Sequence, residues 1–191
     1  SAGTYEVTVT DAYGCKSICE GTVEEPKIVH EKIISKITPK GNNEFTVTYE
    51  IEVTNKGGAQ GIYGLDDDPD FDDDIEILSA SYSSSTPPNL SGPLSGGGLW
   101  NLSNDVSLDA GDSHTYTISV EVEIDLNDGV TGDDEYLECS ESSTSGEFIN
   151  GRGLFNESFL LDENETVVEI DTACGDLPYI IMKKGIVGVT P

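Results

Sequence analysis

Strict two-residue alternation constrains this chain more than any other feature. From Phe45 to Thr54 every second residue is apolar (Phe45, Val47, Tyr49, Ile51, Val53), and those between are Thr or Glu. Tyr116, Ile118, Val120, Val122 and Ile124 repeat the pattern, separated by Thr117, Ser119, Glu121 and Glu123. A period of two sends one row of side chains into a core and the other into water, the mark of a half-buried strand. Shorter runs at 5–9, 28–37, 75–82, 148–161, 167–170 and 179–189 read the same way, separated by turn clusters at 40–43, 56–58, 83–98 and 109–112. No segment sustains apolar spacing at i, i+3 and i+4. The expected fold is all-β, an antiparallel β-sandwich.

Charge narrows the partners. The 191 residues carry 37 Asp and Glu against 9 Lys and Arg, a net charge of −28. Such a surface repels the phosphate backbone, so nucleic acid is excluded as a partner, and so is docking on an anionic bilayer surface. No run of about eighteen apolar residues exists, and no membrane insertion is expected. The carboxylates fall mostly in water-facing rows and turns, where a sandwich can carry them without burying charge. The chain opens at Ser1 with no basic-then-apolar leader, as expected of a mature or excised fragment.

Two boundaries can be argued. Glu24-Glu25-Pro26 follows a Cys-bearing turn and precedes a fresh apolar run. In addition, the segment 31–39 (EKIISKITP) and the segment 183–191 (KKGIVGVTP) share Lys, Ile, Thr and Pro in register, with Ile37 matched by Val189, at an offset of 152 residues. That spacing suits one large sandwich domain, and a motif met at two successive starts implies a tandem array. The expected division is residues 1–26 as the end of one module, 27–178 as a whole module, and 179–191 as the first strand of the next.

Several stretches carry a family resemblance. Residues 2–15 (AGTYEVTVTDAYGC), closing at Glu25-Pro26, resemble the last strands of an Ig-type repeat in SprB-type gliding adhesins, very large surface proteins of the Bacteroidota; Tyr13-Gly14-Cys15 stands where that pattern usually has Asn-Gly-Cys. The central module resembles the conserved-repeat-domain family of bacterial surface proteins through residues 48–57 (TYEIEVTNKG), 63–71 (YGLDDDPDF), 108–117 (LDAGDSHTYT), 153–156 (GLFN) and 173–178 (ACGDLP). The resemblance implies Ig-like sandwich modules in tandem. It also implies secretion across the outer membrane, an extracellular cell-surface setting, and work in adhesion, gliding motility or attachment to surfaces or prey.

The four cysteines fit an oxidising compartment. Cys139 and Cys174 flank the strand pair 148–161 and 167–170, and a disulfide between them would close a loop of 35 residues. In the chain-entropy model such a closure contributes roughly 3–4 kcal/mol; the alternative is two buried thiols. Cys15 and Cys19 are expected to form a small hairpin bridge, the alternative being that Cys15 reaches a partner elsewhere in its module.

The acidic run 66–76 (DDDPDFDDDIE) is the most suggestive stretch chemically. Asp66, Asp68, Asp70, Asp72 and Asp73 offer hard oxygen ligands in a flexible loop, which suits Ca²⁺. The competing reading is a solvated turn anchored by Phe71. A second acidic segment, Asp125–Gly129 with Asp133–Glu135, only approaches a calcium-loop spacing.

Catalysis finds no foothold: there is no Gly-x-Ser-x-Gly, phosphate loop or His-Glu-x-x-His, and abundant Asp makes any carboxylate pair uninformative. His30 and His114 are expected to be exposed strand residues. Asn89, Asn101, Asn156 and Asn164 begin Asn-x-Ser/Thr sequons that Ser and Thr abundance explains. The expected function is therefore a non-enzymatic spacer in a giant extracellular adhesin or filament. Its partners would be neighbouring modules of the same chain, or further copies in a homo-oligomeric filament. The alternative is a calcium-dependent glycan- or surface-binding module, which requires clustered Asp beside an exposed aromatic such as Trp100 or Tyr63.

Overall fold

The computed structural model describes residues 3–72, 74–87, 89–124, 153–175 and 177. Among them eleven strands and no helix occur: β1 (Gly3–Thr10), β2 (Lys16–Val23), β3 (Ile28–Gly41), β4 (Glu44–Asn55), β5 (Gly61–Pro69), β6 (Ile75–Ser84), β7 (Ser91–Leu94), β8 (Trp100–Leu108), β9 (Ser113–Ile124), β10 (Asn156–Leu161) and β11 (Val167–Ala173). Every pairing is antiparallel. The expected all-β, Ig-like sandwich architecture is what forms.

Two sheets make the sandwich: β3-β4-β9-β6-β7 and β11-β10-β5-β8. The alternating strands sit at the centre of the first. Val47, Tyr49, Ile51 and Val53 of β4 are fully buried beside Tyr116, Ile118 and Val120 of β9, and Phe45 pairs across to Val122. Facing them from the second sheet are Tyr63 and Leu65 of β5, Leu102 and Leu108 of β8, and Leu160 of β10. The β3–β4 turn is a two-residue hairpin whose Asn42 and Asn43 both take positive φ, 56° and 63°, the primed geometry that matches strand twist.

A third, two-stranded sheet, β1–β2, stands apart from this core. Its register places Tyr5, Val7 and Val9 on one face opposite Gly21, Cys19 and Ser17, and those apolar side chains are exposed. The segment after it packs on the sandwich. Lys56 donates its amide to Lys27 O at 2.8 Å, Gly58 to Glu25 O at 3.2 Å, and a Cβ at Gly61 would fall 2.6 Å from the Pro26 ring.

Several local expectations change. The acidic run is not one loop: β5 continues through Asp66, Asp67 and Asp68 to Pro69, because its period-two row Tyr63, Leu65, Asp67, Pro69 is buried. The stretch 83–98 contains β7, which pairs with the end of β6. Strands β2 and β8 were not visible as alternation. The run 148–161 contributes a strand only from Asn156, residues 148–152 lying outside the described part, as do 179–191 and Asp125–Glu135.

Candidate functional site

The most unusual chemistry lies inside the sandwich rather than on it. In β3 the inward row runs His30, Lys32, and both residues are buried. In β5 the inward row reaches Asp67, and in β10 it carries Asn156 and Ser158; all three are fully buried. Asp67 stands opposite Ser158 in the β5–β10 ladder, so Asn156, two residues away on the same face, is its diagonal neighbour. Lys32 reaches across from the other sheet to both. Its Nζ donates to Asp67 Oδ2 in a short contact and to Asn156 Oδ1 at 2.7 Å. Tyr49 covers this cluster: Lys32 Nζ is 5.4 Å from its ring centroid, and its hydroxyl donates to Leu154 O at 2.8 Å. Phe71 stacks on Tyr49, their ring centroids 6.2 Å apart.

Burial sets the electrostatics. It pushes the Lys32 ammonium below its usual range, and attraction to Asp67 only partly opposes this. It pushes the Asp67 carboxyl up, with Lys32 the chief opposing influence and Asn156 a lesser one. Each partner is thus driven toward its neutral form. Two polar atoms of the cluster, Asp67 Oδ1 and Asn156 Nδ2, are buried without a hydrogen-bond partner.

Neighbouring contacts lock β3 in place. Its outer-edge amides at His30 and Lys32 donate to the carboxylates of Glu169, at 2.9 Å, and Asp171, at 2.7 Å, on β11. The His30 ring bridges Glu169 Oε2, 3.1 Å from Nδ1, and the Ser158 hydroxyl, 3.0 Å from Nε2. His30 is therefore an interior bridge, not an exposed residue, because its strand faces β10 and β11 at the sandwich edge.

A second interior network ties the sheets. The Tyr63 hydroxyl lies 2.8 Å from His114 Nδ1 and 2.9 Å from the Tyr116 hydroxyl, which donates to Ser103 Oγ at 2.9 Å. His114 is thus also buried, against expectation, since it continues the inward row of β9. Burial lowers its pKa from 6.5, Asp112 opposing weakly. A lowered pKa leaves the unfolded chain binding more protons than the folded one just below that value, so stability falls as pH drops through it. The melting temperature is expected to decline between about pH 7 and pH 5, less steeply in His114→Asn. Identical slopes in calorimetric melts of the two proteins would remove His114 from that dependence.

The sequence-predicted site residues fall in different local settings. Asp66 accepts from Asn101 Nδ2 at 2.8 Å. Asp72 is buried and accepts the Asp74 amide at 3.1 Å as part of the β5–β6 connection. Asp68 sits in β5, Asp70 follows that strand, and Asp73 lies outside the described residues. Among the described residues no three acidic, His or Cys side chains gather as metal ligands would. Melting the protein with chelator and with millimolar Ca²⁺ tests the ion directly: a midpoint that rises with Ca²⁺ supports a site in the acidic run, and one indifferent to both removes it.

Cys15 and Cys19 are free and exposed, not bridged. The chain from Cys15 into β2 is extended, and four residues of strand span roughly 13 Å, well beyond disulfide reach. Cys174 follows β11, and the expected pairing with Cys139 falls on a residue outside the described part. Trp100 and Tyr63 are both buried, Trp100 donating its indole N–H to Gly96 O at 3.1 Å, so neither offers a sugar-stacking face. The open groove of about 490 Å³ near His114 is lined by Gln60, Thr86, Asn104, Asp109 and Asp112, with no aromatic but the edge of His114.

The cluster Lys32, Asp67 and Asn156 escaped sequence reading. Its signal was present: a charged or amide residue in each of three inward rows, Lys32 beyond His30, Asp67 beyond Leu65, and Asn156 before Leu160.

No family model and no curated protein matches the chain. Among solved structures it is similar to the major pilin subunit of Bacillus cereus, with a TM-score of 0.31 and 9% identity over 90% of this chain and 48% of that one. The chain therefore spans about half the length of that pilin subunit.

Proposed function

We propose that this chain is a load-bearing structural module of an extracellular surface adhesin or filament. One observation carries the reading: two buried polar clusters fasten one sheet to the other. Lys32, in the first strand of the sandwich, is tied to Asp67 and Asn156 in the opposite sheet. Tyr63, His114, Tyr116 and Ser103 repeat that connection elsewhere in the core. Groups held this way resist separation of the sheets and are not available to a diffusing substrate.

Other features support the setting. A surface with net charge −28 discourages lateral pairing of exposed strand edges. Val7 and Val9 of the β1–β2 hairpin are exposed, and a two-stranded sheet is marginal alone in water; a neighbouring module of the same chain would cover this face. A Cys139–Cys174 bridge fits an oxidising exterior. Export across the outer membrane, and service in gliding or attachment, rest on the resemblance to gliding adhesins.

Binding a glycan array with the whole chain, with and without chelator, separates spacer from receptor. The spacer reading expects no specific sugar signal. Specific binding that chelator abolishes would overturn it.

A further inference from the structure

The buried cluster is arranged for a bond-forming reaction between its own side chains. We propose that Lys32 and Asn156 become joined by an intramolecular amide bond, with Asp67 as the catalytic acid–base, so that the two sheets are covalently linked. The inference stands on the geometry of these three residues and does not depend on where the protein works.

The parts match the chemistry. The Lys32 amine lies 2.7 Å from the Asn156 carboxamide oxygen, itself bonded to the carbon that the amine would attack. Holding amine and carboxamide together in a packed interior replaces a bimolecular encounter with an internal one. Lys32 Nζ also touches Asp67 Oδ2. Burial favours the uncharged amine, the form with a free electron pair, and the protonated carboxyl, the form able to donate. Water, which would otherwise compete for the carboxamide, is kept out: the side chains of Lys32 and Asp67 have no accessible surface, and Asn156 is fully buried.

The step balances without any outside reagent. Lys32 Nζ attacks Asn156 Cγ, forming the C–N bond. Asp67 gives its proton to Nδ2 and takes one from the attacking nitrogen. The Cγ–Nδ2 bond breaks, ammonia leaves, and Asp67 ends as it began. Nothing is oxidised or reduced.

Two details single out this reaction over a merely structural ion pair. In native interiors polar atoms nearly always find a partner, and each exception calls for an explanation. Here Asp67 Oδ1 and Asn156 Nδ2 are both orphaned, and they are the atoms between which the second proton must pass. Departure of ammonia removes one orphan outright. The link is also placed to matter, joining β3 to β10 across 124 residues of sequence.

Intact-mass measurement of the reduced, purified chain tests this, followed by proteolysis and fragment sequencing. The expected mass is lower than the sequence mass by one ammonia, with the peptide containing Lys32 recovered joined to the peptide containing Asn156. Lys32→Arg and Asn156→Ala should each retain full mass, and Asp67→Ala should retain it in most molecules. A wild-type chain at full sequence mass overturns the proposal whatever the variants do. Loss of ammonia without joined peptides, as a succinimide at Asn150-Gly151 would give, overturns it too. Undiminished linkage in Asp67→Ala overturns the role of that carboxyl.

Discussion

Asn156→Ala is expected to melt about 10–20 °C below the parent chain. The removed cross-link closes a loop of 124 residues, and closing so long a loop is worth about 5 kcal/mol in the chain-entropy account. For a body of this size each kcal/mol moves the midpoint by about 2–4 °C. Lys32 keeps Asp67 as its partner in this variant, so no buried charge is abandoned, and loss of the link is the largest part of the effect. Calorimetry on both proteins under reducing conditions provides the comparison. Midpoints within about 3 °C of each other would mean that no such constraint acts on the unfolded chain.

Asp67→Ala should be worse still. It removes the catalyst of the bond and also leaves the Lys32 amine in the interior with Asn156 Oδ1 as its remaining hydrogen-bond partner. Breaking a buried pair by deleting one member costs about 3–5 kcal/mol, because the surviving charge stays desolvated. Lys32→Met combined with Asp67→Leu deletes both charges and fills the space with apolar atoms, an exchange that is often neutral. The double variant is therefore expected to recover most of the deficit beyond that of Asn156→Ala, a non-additivity typical of residues in contact. Equal denaturant midpoints for Asp67→Ala and Asn156→Ala would show that the stranded amine costs nothing.

The fold was legible because its core strands alternate without exception. Val47 to Val53 and Tyr116 to Ile124 face one way for the whole length of β4 and β9, and that periodicity suffices for an antiparallel sandwich. Strand β5 was obscured by its three consecutive aspartates: Asp66 and Asp68 point to one side and Asp67 to the other, but a run of like residues shows no period. Strand β8, with polar Asn101, Asn104 and Asp105 among its apolar residues and positive φ at Asp105, breaks the alternation through register shifts against β5. The site was hidden for a related reason. Lys32, Asp67 and Asn156 are polar residues in inward rows, where composition assigns them to water. Only the ladder register, which sets Asp67 diagonally to Asn156, and the opposition of β3 to β10 bring them together. Such pairings across 35 and 124 residues leave no local trace in a sequence.

The acidic run takes several local roles that its composition does not show: Asp67 is buried against Lys32, Asp66 meets Asn101 and Asp72 shapes the turn into β6. Tyr63 and Trp100 looked available for stacking and instead fill the core.

Pulling the chain by its two ends in a single-molecule force experiment addresses most directly whether it is built to carry load through an internal link. Force entering at β3 should pass to β10 through the side chains of Lys32 and Asn156, and the segment between them should stay closed. Extension is then confined to the residues before Lys32 and after Asn156, at any force short of breaking covalent bonds. Release of the full contour of all 191 residues at modest force would contradict it.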